Sequence, residues 1–146
     1  MGNIGICGAG LIGASWAVGF ANAGHKSLVY DNNKDSFKKL ELVCDQLLKD
    51  LTIINPDLDV NKIKSNIILD CSIEDICKDT ILIQESIVED LEIKKKMFVA
   101  LDKLAPKNTI LASFFAHFLI DLNIHQNIQG QYFVVWLNFE CQLYIY

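Results

Sequence analysis

The stretch NIGICGAGLIGASWAVGFANAGHKSLVYD, residues 3–31, decides the fold. Its first five residues form a short apolar run that reads as a buried strand. Gly8-Ala9-Gly10-Leu11-Ile12-Gly13 follows at once and fits the pattern GxGxxG. Residues 11–23 then have helical composition, and Gly24 stands where a helix is commonly stopped. Residues 27–30 read as a second strand, closed by Asp31-Asn32-Asn33. In this setting each glycine of the loop has a physical task. Gly8 permits the tight strand-to-helix turn, Gly10 keeps a Cβ out of the path of a pyrophosphate, and Gly13 lets helix and strand approach closely. The amide groups and positive dipole end of the helix then face the anion.

A glycine pattern alone is weak evidence. This one lies between a strand and a helix, and Asp31 follows Gly13 by 18 residues at the end of the next strand. That is close to the expected separation of about 20 residues for an acidic side chain that accepts hydrogen bonds from a ribose. A carboxylate there repels the 2′-phosphate of NADP. All 13 basic residues are lysines, so the chain has no guanidinium fork to reward that phosphate. NAD is therefore the expected ligand, with Gly8, Ala9, Gly10, Leu11, Ile12, Gly13, Asp31 and Asn32 as its contacts. On these residues alone a flavin dinucleotide, S-adenosylmethionine or a glycine turn that binds nothing stay open.

Outward from this unit, strands and helices keep alternating. Residues 35–51 carry apolar side chains at spacings of three and four, from Phe37 to Leu51, and predict an amphipathic helix ended by Asn55-Pro56-Asp57. Residues 67–69 and 80–83 read as strands with a short helix over 73–77 between them. Residues 88–104 predict another amphipathic helix, 109–112 a fifth strand and 132–137 a sixth. Such alternation implies a parallel sheet covered on both faces. The expected fold is a Rossmann-type, doubly wound, three-layer αβα domain over residues 1–146, with strand order 3-2-1-4-5-6.

Composition excludes several classes. Half of the residues are apolar and the net charge is a mild −5 with mixed signs, which argues against disorder and against a nucleic-acid surface. No run of 18 apolar residues predicts a membrane span. The five cysteines are odd in number and lack a CxxC spacing, so they read as reduced, mostly buried thiols and not as a metal site. A strand that starts at residue 3 leaves no room for a leader peptide, and a cytoplasmic location is the expectation.

Three stretches resemble one family. Residues 8–31 resemble the N-terminal domain of the 3-hydroxyacyl-CoA dehydrogenases, and Ile12, Gly13, Ser15, Trp16 and Ala17 look like its lambda-crystallin branch, which includes L-gulonate 3-dehydrogenase. IQESIVEDLEIKKKMFVALDKLAP, residues 83–106, is similar to that branch almost without a gap, and TILAS, residues 109–113, matches the following strand. The resemblance implies an NAD-dependent oxidoreductase of fatty acid metabolism or hydroxy-acid chemistry. It also implies that Glu89 and Lys94 touch the nicotinamide half of NAD. Read without it, Glu89 is a carboxylate of a helix's first turn and Lys94 a solvated lysine.

The departures from the family concern catalysis. Ala116 falls on the serine that contacts the substrate hydroxyl, and Trp136 on the histidine that serves as general acid and base. Asn138 matches the family asparagine only with one residue deleted. The partner glutamate would fall at or beyond Tyr146, and the helical C-terminal domain has no counterpart here. His117 and His125 stand in apolar or loop contexts without an evident carboxylate partner, and read as structural. No catalytic residue is assigned. Three readings follow: an NAD-binding domain with incomplete dehydrogenase chemistry, a dehydrogenase for a hydroxyacyl-CoA or hydroxy acid completed by another chain, or a fragment without a catalytic role. Residues 132–146 are apolar and β-prone with one charge, and are expected to expose an edge that favours self-association.

Overall fold

A computed structural model describes residues 2–114, 131–137 and 143–145 of the chain. The strands are β1 (Asn3–Cys7), β2 (Lys26–Tyr30), β3 (Ile67–Ile68), β4 (Thr80–Glu85), β5 (Ile110–Phe114), β6 (Gln131–Leu137) and β7 (Leu143–Ile145). The helices are α1 (Leu11–Asn22), α2 (Ser36–Ile54), α3 (Val60–Ser65), α4 (Ile73–Cys77) and α5 (Leu91–Leu104). The seven strands form one sheet in the order β3-β2-β1-β4-β5-β6-β7. The first six run parallel, as expected, and β7, which the sequence reading did not anticipate, pairs antiparallel with β6 at the edge.

β1 is central because both of its faces are apolar. Ile4 and Ile6 pack into one core with Ala14, Ala17 and Ala21 of α1, Val29 of β2, and Phe37, Leu40, Cys44 and Leu48 of α2. Cys7 points to the other face and packs with Ile76, Cys77, Ile83, Leu101 and Leu111 beneath α4 and α5. The two-residue alternation of a strand thus feeds two helical layers, which makes the αβα sandwich. The three alanines keep α1 close to the sheet, where buried Ser27 Oγ donates to the Ala17 carbonyl at 2.9 Å.

Local chemistry sets the element ends. Past α1 the chain turns left-handed at Gly24, φ +89°. The Gly24 amide donates to the Ala21 carbonyl and the His25 amide to that of Phe20, so α1 ends in a Schellman motif. α4 opens on a capping box, with Ser72 Oγ accepting from the Asp75 amide and the Asp75 carboxylate accepting from that of Ser72. α5 starts at Leu91 and not at residue 88, because the Asp90 carboxylate accepts from the Ile93 amide at 2.9 Å and caps the helix there. α2 runs three residues past the expected end at Leu51, up to the Asn55 cap. Its last residues, Ile53 and Ile54, are exposed, so apolar periodicity is silent about that turn. α3 was not expected at all: six residues with Ile63 as the buried one are too few to show a period.

The register aligns Tyr30, Cys7, Glu85 and Ser113 at the carboxyl edge of four adjacent strands. Strand order reverses between β1 and β4, and the crevice at that reversal is where open α/β sheets receive ligands.

A very close approach of helix and strand lies beside it. A Cβ at Gly13 would come within 1.9 Å of the Gly8 carbonyl oxygen. At Gly19, also in α1, a Cβ meets nothing within 4 Å among the described residues. Gly13→Ala should therefore cost about 2 kcal/mol or more, whereas Gly19→Ala should stabilise by up to about 1 kcal/mol. Urea unfolding of both variants checks the contrast.

Candidate dinucleotide site at the carboxyl edge of the sheet

Gly8 takes φ +105°, and its amide donates to the Tyr30 carbonyl at 2.8 Å. A Cβ here would lie 2.6 Å from the Ser86 carbonyl oxygen, so glycine is required both for the backbone conformation and for the contact with the chain leaving β4. Gly10 differs in kind. It has an ordinary extended conformation, φ −81° and ψ −172°, and a Cβ on it would meet no atom of the described residues within 4 Å. Folding does not need a glycine at this position, whereas an approaching phosphate does.

Gly10 is also the N-cap of α1, and the helix has no side-chain cap hydrogen bond among the described residues. The first turn, beginning Leu11-Ile12-Gly13, holds no acidic residue. Its amides have no intrahelical acceptors, and the helix dipole adds positive potential. Asp31 stands opposite, with Oδ2 accepting from the Ala9 amide at 2.7 Å and Oδ1 from the Asn33 amide at 2.8 Å. The carboxylate therefore ties the glycine loop to the end of β2, and each oxygen keeps a further lone pair for a ribose hydroxyl. Asn32 is exposed beside it. Ser86 Oγ, on the segment that packs against Gly8, is buried and has no hydrogen-bond partner among the described residues. Such an orphaned hydroxyl is uncommon unless a ligand or water completes it. The open Gly10, the amides of α1, the carboxylate on β2 and the buried hydroxyl together fit a dinucleotide.

The sequence reading missed the group at the centre of the other half. Glu85 ends β4 with a fully buried side chain, and Lys94 of α5 is 3% exposed beside it. Lys94 Nζ donates to both Glu85 oxygens, at 2.8 and 2.9 Å. The Ile87 amide donates to Oε1 at 2.7 Å, and the Ser113 hydroxyl donates to Oε2 in a short hydrogen bond. Lys94 is thus no solvated lysine. The clue lay in the sequence TILIQE, residues 80–85: a carboxylate closing a buried apolar strand must find a cation. Glu89 lies before the helix, not in its first turn, with its side chain 40% exposed and its Oε2 4.0 Å from Lys94 Nζ.

Other candidates are chemically quiet. Burial, and then the neighbouring Glu85 carboxylate, push the Cys7 thiol far above its ordinary range, so it is no nucleophile. Burial likewise pushes Cys44 and Cys77 up to about 11. The four described cysteines are free thiols. No group of three metal-ligating side chains converges among the described residues, and no described helix is long and apolar enough to cross a membrane. Trp136 lies in β6, while Ala116, His117, His125, Asn138, Cys141 and Tyr146 fall outside the described residues.

Removing one member of a buried ion pair leaves a stranded charge. Lys94→Ala should destabilise the fold by about 3–5 kcal/mol, whereas Glu85→Gln combined with Lys94→Met should be close to neutral. Chemical denaturation of the two proteins side by side distinguishes an essential charge from an essential shape.

Comparison with known proteins agrees with this geometry. The family model described as 3-hydroxyacyl-CoA dehydrogenase, NAD binding domain, matches residues 3–135. The human lambda-crystallin homolog is 34% identical over 112 residues, which is 74% of this chain and 35% of its own length. The mitochondrial hydroxyacyl-coenzyme A dehydrogenase of Sus scrofa is 34% identical over 115 residues, 74% of this chain and 37% of that protein. The chain thus spans about a third of the length of the curated relatives it matches. Among solved structures, the (S)-3-hydroxybutyryl-CoA dehydrogenase of Ralstonia eutropha superposes with a TM-score of 0.81 at 21% identity, covering 92% of this chain and 48% of that one. The chain belongs to the 3-hydroxyacyl-CoA dehydrogenase family, and its fold is that family's NAD-binding domain.

Proposed function

We propose that the chain holds NAD with its pyrophosphate at the amides of Leu11, Ile12 and Gly13 and its adenosine ribose at Asp31 and Asn32. Ala9 and Gly10 line the approach, and Glu89 and Lys94 receive the nicotinamide half. The observation that carries this reading is Gly10, a glycine that packing among the described residues does not require. NAD, when bound, supplies the hydride acceptor. The reaction served is oxidation of a secondary alcohol, with a 3-hydroxyacyl-CoA or a small hydroxy acid such as L-gulonate as substrate. The similarity to lambda-crystallin homologs and to hydroxyacyl-coenzyme A dehydrogenases supports that class.

This chain by itself performs the binding part of that reaction. Taking a hydride from an alcohol also requires a base for the hydroxyl proton. Histidine suits that task because it titrates near neutrality. At the two positions that align with the family's serine and histidine, Ala116 has no hydroxyl to orient a substrate and the Trp136 indole cannot accept a proton.

Gly10→Ala separates binding from folding. The variant should stay folded with a melting temperature lower by no more than about 5 °C, since glycine is the better N-cap by up to about 1 kcal/mol. Calorimetric NAD affinity should fall at least tenfold, and retained affinity would refute the pyrophosphate position. In the same titration the parent should favour NAD over NADP by about tenfold or more, equivalent to about 1.4 kcal/mol.

Turnover provides the second check. With NAD and either 3-hydroxybutyryl-CoA or L-gulonate, NADH formation followed at 340 nm should stay below about 1 s⁻¹, the low end for ordinary enzymes. A faster rate would place a working base in this chain.

A further inference from the structure

Glu85 is fully buried, and its carboxylate accepts four hydrogen bonds. An ionised carboxylate has about four acceptor sites. Glu85 is therefore saturated from within the protein and has no site left for a ligand. Its donors come from three different segments: the Ile87 amide from the chain leading to Glu89, Lys94 from α5, and Ser113 from β5. One buried anion thus joins the exit of β4, the first turns of α5 and the end of β5. All three lie on the side of the crevice away from Asp31, because Asp31 follows β2 and β1 separates β2 from β4. Ser113 spends its only hydroxyl hydrogen on Glu85, so its oxygen is left as an acceptor. The two oxygens of Glu85 direct two of the three Nζ hydrogens of Lys94 and thereby fix where its charge sits.

We propose that Glu85 is a positioning residue for the nicotinamide half of the dinucleotide, acting through Lys94, Ser113 and the chain that carries Glu89, and that it leaves the adenine half unaffected. This rests on the assignment of NAD to the crevice. Apolar residues would stabilise the buried edge at least as well as an ion pair, because both charges lose their hydration there. What an ion pair adds is a charge and two polar groups held in fixed places beside the crevice.

The test compares NAD with ADP-ribose, which keeps the adenine half and lacks nicotinamide. Affinities of the full chain for both are measured by calorimetry, and bound NADH is followed by its fluorescence emission, which reports the surroundings of the nicotinamide ring. Glu85→Gln keeps the side-chain shape and removes the charge. It should weaken NAD at least tenfold, change ADP-ribose less than twofold, and return the emission of bound NADH towards that of the free cofactor. Glu85→Asp, which keeps the charge and leaves Lys94 in place but draws the carboxylate back by one methylene, should show the same split if Glu85→Gln fails to fold. An equal loss for NAD and ADP-ribose would reduce Glu85 to a structural role, and no loss for either would overturn the proposal. A parent chain that binds neither compound would refute the NAD assignment itself, and the positioning role with it.

Discussion

A helix can direct its first amides at an anion beside a strand only if the strand's end and the helix's first turn nearly touch. Here the approach is so close that a Cβ on Gly13 would sit within 1.9 Å of the Gly8 carbonyl oxygen. That constraint organises the rest of the site. It sets α1 against β1, with Gly13, Ala14, Ala17, Val18 and Ala21 on the buried face of the helix. It brings the Ala9 amide to the carboxylate of Asp31, so that the acidic end of β2 becomes part of the loop's own hydrogen bonding. Gly8 extends the same principle across the crevice, because without a side chain it lies against the carbonyl of Ser86 after β4. The three glycines of the motif thus differ physically. Two are demanded by contacts within the protein, and Gly10 meets no such contact among the described residues.

The two sides of the strand-order reversal are held by different forces. On the β2 side, backbone amides and the Asp31 carboxylate make a shell of partial charges at the surface, suited to phosphate and ribose. On the β4 and β5 side the organising element is a buried ion pair, Glu85 with Lys94, closed by the Ser113 hydroxyl and the Ile87 amide. Isolated buried charges are among the costliest features a fold can carry, and this pair is tolerated because each Glu85 oxygen is fully engaged. The burial that silences the Cys7 thiol next to Glu85 also shields the pair from solvent.

Much of the architecture was legible because short-range rules and long-range packing agree here. Alternating apolar strands and three-four-spaced helices imply a parallel sheet covered on both faces, and the glycine motif with Asp31 locates the crevice. Element ends were less legible, since Asp90 and Asn55 cap their helices by hydrogen bonds that hydropathy does not report. The short helix α3 and the edge strand β7 have too few residues for any period to emerge.

The sequence by itself determined the layers of the fold, the strand order, the dinucleotide motif and, through residues 83–106, the family. Each of these is written in contiguous residues or in a fixed spacing along the chain. Only the tertiary structure decided that Lys94 is buried, that Glu85 is its partner, and that Ser113, 28 residues further on, completes the group. In the sequence Lys94 opens a run of three lysines, and nothing local distinguishes it from Lys95 and Lys96. What singles it out is the parallel pairing of β4 with β5, which lays Glu85 beside Ser113, and the docking of α5 over that edge. Such a group arises from where distant segments meet, and its identity belongs to the fold.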